Sequence, residues 1–141
     1  MVISVKRNSN MLKIECIHHI AVLTSPELYQ ESKRFYTEIL GFTIVLETYR
    51  ETRNSYKLDL ALNGLYQIEL FSFPDYLERA SFPESKGLRH LAFGVKEIEP
   101  ASICLSENKV RVEEIRTDTL TGKQFLFFYD PNGQPLELYQ L

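Results

Sequence analysis

His19-Ile20-Ala21-Val22 returns 71 positions later (90 − 19) as His90-Leu91-Ala92-Phe93. Each copy is a short apolar run of strand type opened by an imidazole. Each is followed, at a similar distance, by a glutamate set between apolar residues. Glu69 lies 50 positions after His19 (69 − 19), in Gln67-Ile68-Glu69-Leu70-Phe71. Glu137 lies 47 positions after His90 (137 − 90), in Pro135-Leu136-Glu137-Leu138-Tyr139. Two halves with the same residues in the same order read most economically as one module duplicated within the chain.

Working outward from the first copy, residues 12–23 alternate as a strand, with His19, Ala21 and Leu23 on one face and His18, Ile20 and Val22 on the other. Thr24-Ser25-Pro26-Glu27 then supplies a hydroxyl cap and a proline at the first helical position. The spacing of Leu28, Phe35, Ile39 and Leu40 predicts a helix from about 26 to 40, stopped by Gly41. Strands are predicted over Phe42–Arg50, Ser55–Leu62 and Tyr66–Phe73, and Asn63-Gly64 is a two-residue hairpin signal between the last two. The first module therefore reads β-α-β-β-β. After a linker at 74–87, the order repeats: strand Leu88–Val95, helix Ile98–Glu107, then strands Val112–Thr117, Lys123–Tyr129 and Pro135–Gln140, with Asp130-Pro131-Asn132-Gly133 as a turn. The expected organisation is a disordered lead-in over 1–10 and a single α+β domain over 11–141, built from modules 12–73 and 88–141.

Composition sets the outer limits. A chain of 141 residues, 44% hydrophobic and 25% charged, suits one soluble domain with a real core. A net charge of −3, with the basic residues scattered among acids, argues against a nucleic-acid partner. No apolar run approaches the ~20 residues needed to span a bilayer, and the first ten residues carry no signal-type segment. Cys16 and Cys104 both lie in apolar settings. They read as buried free thiols, a usage that fits the cytoplasm.

His19, Glu69, His90 and Glu137 each fall on a predicted strand, at matching places in the repeat. Period-two alternation puts Ile68 and Leu70 opposite Glu69, and Leu136 and Leu138 opposite Glu137, so both carboxylates leave the core face. A carboxylate on a sheet floor is costly unless paired or bound to a cation. If the modules face a common cleft, the four side chains converge there as a mixed N/O set for one divalent ion, which Zn, Ni, Co, Mn or Fe(II) would all suit. His18 neighbours His19 but is expected on the other face, outside the site. Open coordination positions would take two adjacent oxygens of a small metabolite and acidify the neighbouring C–H. Glu137 is the first choice as the base that removes this proton, and Glu69 the symmetric alternative. Arg50, Arg53 and Lys57 read as a solvated hairpin that could also meet an anion. Tyr49, Tyr56, Phe71, Phe73 and Phe127 read as core or as an apolar wall. Residues 76–86 read as a surface loop that could cover the opening.

The ordered set His18-His19-Ile20-Ala21-Val22, Phe35-Tyr36-Thr37-Glu38-Ile39-Leu40-Gly41-Phe42, Gln67-Ile68-Glu69-Leu70, Arg89-His90-Leu91-Ala92-Phe93 and Asp130-Pro131-Asn132-Gly133-Gln134-Pro135-Leu136-Glu137-Leu138 resembles the vicinal oxygen chelate superfamily. That group includes glyoxalases, epimerases, ring-cleaving dioxygenases and bleomycin-resistance proteins. The resemblance implies paired βαβββ modules forming a curved mixed sheet around a cleft, with His19, Glu69, His90 and Glu137 at the four metal positions. Glutamate at position 69 looks more like glyoxalase I, which implies a metal-dependent lyase or isomerase that stabilises an enediolate. The positions four residues beyond the first two ligands are Leu23 and Phe73, where bacterial glyoxalase I carries the arginine and asparagine that hold glutathione. The resemblance thus carries over the metal set without the glutathione contacts. The superfamily's Fe(II) dioxygenases and fosfomycin thiol transferases use three ligands, against which Glu69 counts. Its drug-sequestering members use no metal. The resemblance also implies a homodimer, in which the two halves of a site come either from one chain or from both.

Overall fold

The computed structural model describes residues 10–141, so the expected lead-in lies, apart from Asn10, outside the described residues. Strand β1 (Ile20–Leu23) is shorter than the alternation predicts. Its pairing with β4 begins only at Ile20↔Ile68, and residues 12–19 have no strand neighbour. A continuous helical segment follows, 3-10 over Pro26–Leu28, α over Tyr29–Arg34 (α1) and π over Phe35–Ile39. The Ser25 hydroxyl accepts the Leu28 amide at 3.2 Å, the predicted cap. Gly41 takes φ +82°, a left-handed turn that ends the segment.

The chain then runs through β2 (Thr43–Arg50), β3 (Ser55–Leu62) and β4 (Leu65–Phe71). The β3–β4 hairpin turns on Asn63 and Gly64, both at positive φ (51° and 78°), as the two-residue signal requires. The second module repeats the order with β5 (Leu91–Val95), α2 (Ile98–Glu107), β6 (Arg116–Thr117), β7 (Gln124–Tyr129) and β8 (Pro135–Gln140). Only two residues of the strand predicted over 112–117 pair continuously. Val112 makes an isolated bridge to Phe128 instead.

These strands form two mixed four-stranded sheets of equivalent topology, β1-β4-β3-β2 and β5-β8-β7-β6. In each, the first strand runs parallel to the last and the remaining pairs are antiparallel. The fold is therefore the paired βαβββ arrangement. Both modules contribute to one apolar cluster, in which Phe35 approaches Phe128 (ring centroids 6.4 Å apart) and Phe42 approaches Phe93 (6.0 Å). Burying a side chain such as Phe35 stabilises the fold by about 1.5–3 kcal/mol.

The Asp130–Gly133 turn does more than reverse the chain. Asp130 is buried and accepts the Tyr36 hydroxyl at 2.8 Å, 94 residues away in sequence. The Asn132 amide oxygen accepts the Ser25 amide at 3.0 Å, and its nitrogen donates to Ser32 Oγ at 2.9 Å. One turn of the second module thus holds the helix of the first. Cys16 and Cys104 correct the sequence reading: both are free, as expected, but exposed. Cys16 lies ahead of β1, where no sheet covers it.

Candidate metal centre

Equivalent strand registers bring each histidine to its glutamate. Ala21 pairs with Glu69 across β1/β4, and Ala92 with Glu137 across β5/β8, leaving His19 and His90 two positions ahead on the neighbouring chain segment. His19 Nε2 lies 3.0 Å from Glu69 Oε2, and His90 Nε2 lies 2.8 Å from Glu137 Oε2. Ile68, Leu70, Leu136 and Leu138 are buried on the opposite face, so the alternation read from sequence holds. Of the two arrangements left open, one chain or two, convergence of all four within one chain does not appear. Among the described residues, no group of three or more histidine, cysteine, aspartate or glutamate side chains is placed to hold one ion. One chain carries two half-sets, one per module.

The sequence matches the Glyoxalase/Bleomycin resistance protein/Dioxygenase superfamily over residues 17–138. The chain belongs to that superfamily. This superfamily member is 57% identical over 127 residues to the uncharacterized protein YwkD of Bacillus subtilis (strain 168), covering 90% of this chain and 98% of the relative. It is 55% identical over 130 residues to the uncharacterized protein YaeR of Escherichia coli (strain K12), covering 92% and 99%. Among solved structures, a glyoxalase family protein from Enterococcus faecalis shares 44% identity with a TM-score of 0.81, over 89% of this chain and 98% of that one. The fold alone is shared with the trypanothione-dependent glyoxalase I of Leishmania major (18% identity, TM-score 0.69) and with TnmS3, an antibiotic binding protein from Streptomyces (21%, 0.69).

The donor chemistry of this superfamily member suits a divalent ion. Donors held about 2.1 Å from one ion at right angles lie roughly 3 Å apart, the spacing each His–Glu pair adopts. The same spacing also makes a hydrogen bond, so each pair is satisfied in the absence of a cation. His90 Nδ1 is buried and has no hydrogen-bond partner. With Nε2 turned toward Glu137, an imidazole lone pair is left unused.

The two half-sets differ in their surroundings, which sequence reading missed. Glu69 Oε1 accepts the Tyr66 hydroxyl at 2.5 Å and Lys57 Nζ at 3.0 Å, and both donors also reach Asp59 Oδ1 at 3.1 Å. Burial pushes the Glu69 carboxyl up, but the Tyr66 and Lys57 hydrogen bonds and the charges of Lys57 and His19 outweigh it and hold it below the usual carboxylate range. The Tyr66 phenol is raised by burial and by these carboxylates, so it stays a donor. Among the described residues Glu137 has no such clamp, and its one polar partner is His90. His18 also departs from expectation. Without a strand at 12–19 its ring turns to the same side, with Nδ1 2.8 Å from His19 Nδ1 and the ring against Tyr66.

Arg53 is exposed, as a solvated hairpin requires, but Arg50 is only partly so. Both stack over Phe73, and Arg50 also over Phe71, while Arg50 Nε and Nη2 are buried without partners. Phe73 therefore carries guanidinium groups at the position where glutathione-binding relatives carry asparagine. Beside His90 and Glu137 opens a cavity of about 770 Å³, walled by Arg79, Phe82, Arg111, Arg116, Phe125 and Tyr129. Arg79 and Phe82 come from the 76–86 segment, so that loop lines part of the cavity. Arg111 and Arg116 flank or fall in the strand predicted over 112–117, and nothing in the sequence marked them as cavity residues.

Proposed function

We propose that this protein is a metal-dependent lyase or isomerase that binds adjacent oxygens of a small metabolite, with its site assembled from two chains of a homodimer. One observation supports the reading above others: two His–Glu pairs at identical register in duplicated modules, each spaced for one face of a single ion. Two donors per module are too few for tight binding, and a facing module completes a set of four. The pairs do not meet within one chain, so His19 and Glu69 of one protomer face His90 and Glu137 of its partner.

A divalent ion bound there would polarise the substrate oxygens and acidify the adjacent C–H. The chain's own residues then divide the work. Lys57 and Tyr66 occupy Glu69, which keeps it a fixed anionic ligand. Glu137 keeps an uncommitted carboxylate oxygen, so it takes the proton from carbon and returns it to the neighbouring carbon, while the hydroxyl proton passes to the former carbonyl oxygen. That transfer isomerises an α-hydroxy carbonyl or a hemithioacetal without any net redox change. Phe125 and Phe127 line the cavity and give it an apolar wall.

The metal content of the purified protein, measured by elemental analysis beside His90→Ala, tests this reading. About one divalent ion per site in the wild type, lost in the variant, is expected. A protein that cannot be loaded with Zn, Ni, Co, Mn or Fe(II) overturns it. The aromatic cavity then favours a second reading, metal-free sequestration of a small molecule.

A further inference from the structure

The cavity beside His90 and Glu137 is richer in cations than its neighbouring carboxylates can neutralise. Four arginines line it, at positions 79, 89, 111 and 116, against Glu84, Glu113 and Glu137. Arg89 is satisfied by Glu84 at 3.1 Å, and Glu137 is engaged by His90. Glu113 accepts the Tyr129 hydroxyl and approaches Arg116 only to 3.7 Å, beyond hydrogen-bonding distance. Among the described residues Arg111 has no carboxylate partner, and Arg79 donates through Nη2 to the Leu88 and Arg89 carbonyls while its Nε is buried and unpartnered.

The two guanidinium groups from the 110–116 segment are held by aromatic faces. Arg111 lies 4.1 Å above the Tyr129 ring, and Arg116 lies 5.1 Å and 5.4 Å from the centroids of Phe125 and Phe127. Stacking fixes the plane of a guanidinium while leaving its N–H edge free, the geometry that receives a carboxylate or phosphate through paired hydrogen bonds. Among the described residues neither side chain donates a hydrogen bond, and the one carboxylate beside them, Glu113, meets Arg116 Nη2 only as an ion pair at 3.7 Å. The position is also set. The Phe127 ring that Arg116 covers packs edge-on against His90 at 5.0 Å, so one aromatic ring separates this cation from the metal-binding pair.

We propose that Arg111 and Arg116 form an anion subsite beside the His90–Glu137 pair, and that the substrate carries a carboxylate or phosphoryl group next to its reactive oxygens. The placement of those oxygens rests on the metal-dependent reading above. The anion subsite itself rests on the arginines. An uncharged metabolite would leave both guanidinium edges facing solvent.

The test is titration of metal-free dimer, in chelator, with inorganic phosphate and separately with acetate, followed by amide chemical shifts. Arg111→Gln, Arg116→Gln and Arg116→Lys are compared with Arg34→Gln, a helix-surface control whose side chain pairs with Glu38. Saturable binding by the wild type and the control, weakened about tenfold or more by each glutamine variant and less by lysine, is expected. Tighter phosphate than acetate assigns a phosphoryl group, and the reverse assigns a carboxylate. Arg116 is half-exposed on a two-residue strand, so its variants should keep the wild-type unfolding midpoint, measured alongside. No saturable binding of either anion, or equal binding by all variants, overturns the proposal. Metal content of the same preparations reports on the enzyme reading separately: arginine-dependent anion binding in a protein that takes no metal removes that reading and keeps the subsite.

Discussion

The Tyr66 hydroxyl, which donates to Glu69, decides what Glu69 can do. It donates to Glu69 and to Asp59, tying two carboxylates that would otherwise repel, while Lys57 supplies the balancing charge. Partners of this kind fix a ligand's orientation, and their loss typically costs ~10–100-fold in metal affinity. Tyr66→Phe should therefore weaken metal binding by about tenfold or more with little change in the unfolding midpoint. Competition with a chromophoric chelator reads this directly, and an unchanged affinity would make Tyr66 a packing residue only. Under the proposed reaction Glu137, which lacks such donors among the described residues, is the base. Glu137→Gln should lower turnover of whichever hydroxy-ketone or hemithioacetal the wild type converts by about a hundredfold or more, with a much smaller loss of metal. Parallel losses of both would reduce Glu137 to a simple ligand.

The Asp130–Gly133 turn shows what one element contributes beyond its local shape. Asn132 bridges the Ser25 amide and the buried hydroxyls of Thr24 and Ser32. Asn132→Ala leaves those groups short of partners and should destabilise the protein by about 1–3 kcal/mol in urea unfolding. Asp130 adds a pH dependence. Burial raises its carboxyl, against hydrogen bonds from Gln134, Tyr36 and Asn132 that lower it without overcoming the burial. The folded state therefore holds this proton more tightly than the unfolded chain. Its contribution to stability is full below the unfolded value of about 3.9 and is lost as pH rises through the higher folded value. Asp130→Asn should flatten that fall in a series of thermal midpoints from acid to neutral pH, and an unchanged slope would acquit Asp130 of it. The sequence announced this turn but not its partners, because Tyr36 lies 94 residues away and only packing joins them. Locally determined features were legible: the Ser25 cap, Gly41, the Asn63-Gly64 hairpin and the period-two faces around Glu69 and Glu137. Features set by neighbours were not. Residues 12–19 alternate like a strand but lack a partner to pair with, which is why β1 begins late and His18 turns toward His19.

At the scale of the molecule, duplication explains both the success and the shortfall of the sequence reading. A repeat states which residues are equivalent, so the four positions and their pairing by register could be read from spacing. It does not state whether equivalent halves face each other in one chain or across two. The two pairs stay apart within the chain, and β2 leaves Ile44, Val45 and Leu46 about half exposed on an edge strand, apolar surface that a second copy would cover. A shared site makes a prediction that an intra-chain site cannot. His19→Ala and His90→Ala each remove one ligand from every site of their own homodimers, so neither should bind metal tightly. In a mixed dimer with shared sites, one site collects both substitutions and the other collects none. Unfolding the two variants together and refolding them should pair about half of the chains as mixed dimers, restoring about a quarter of the wild-type metal content and the same fraction of turnover. If each site lies within a single chain, every site in the mixture carries one substitution and refolding restores nothing. Elemental analysis of the refolded mixture beside each variant refolded alone separates the two arrangements, because only cross-chain assembly can rebuild an intact set from two broken ones.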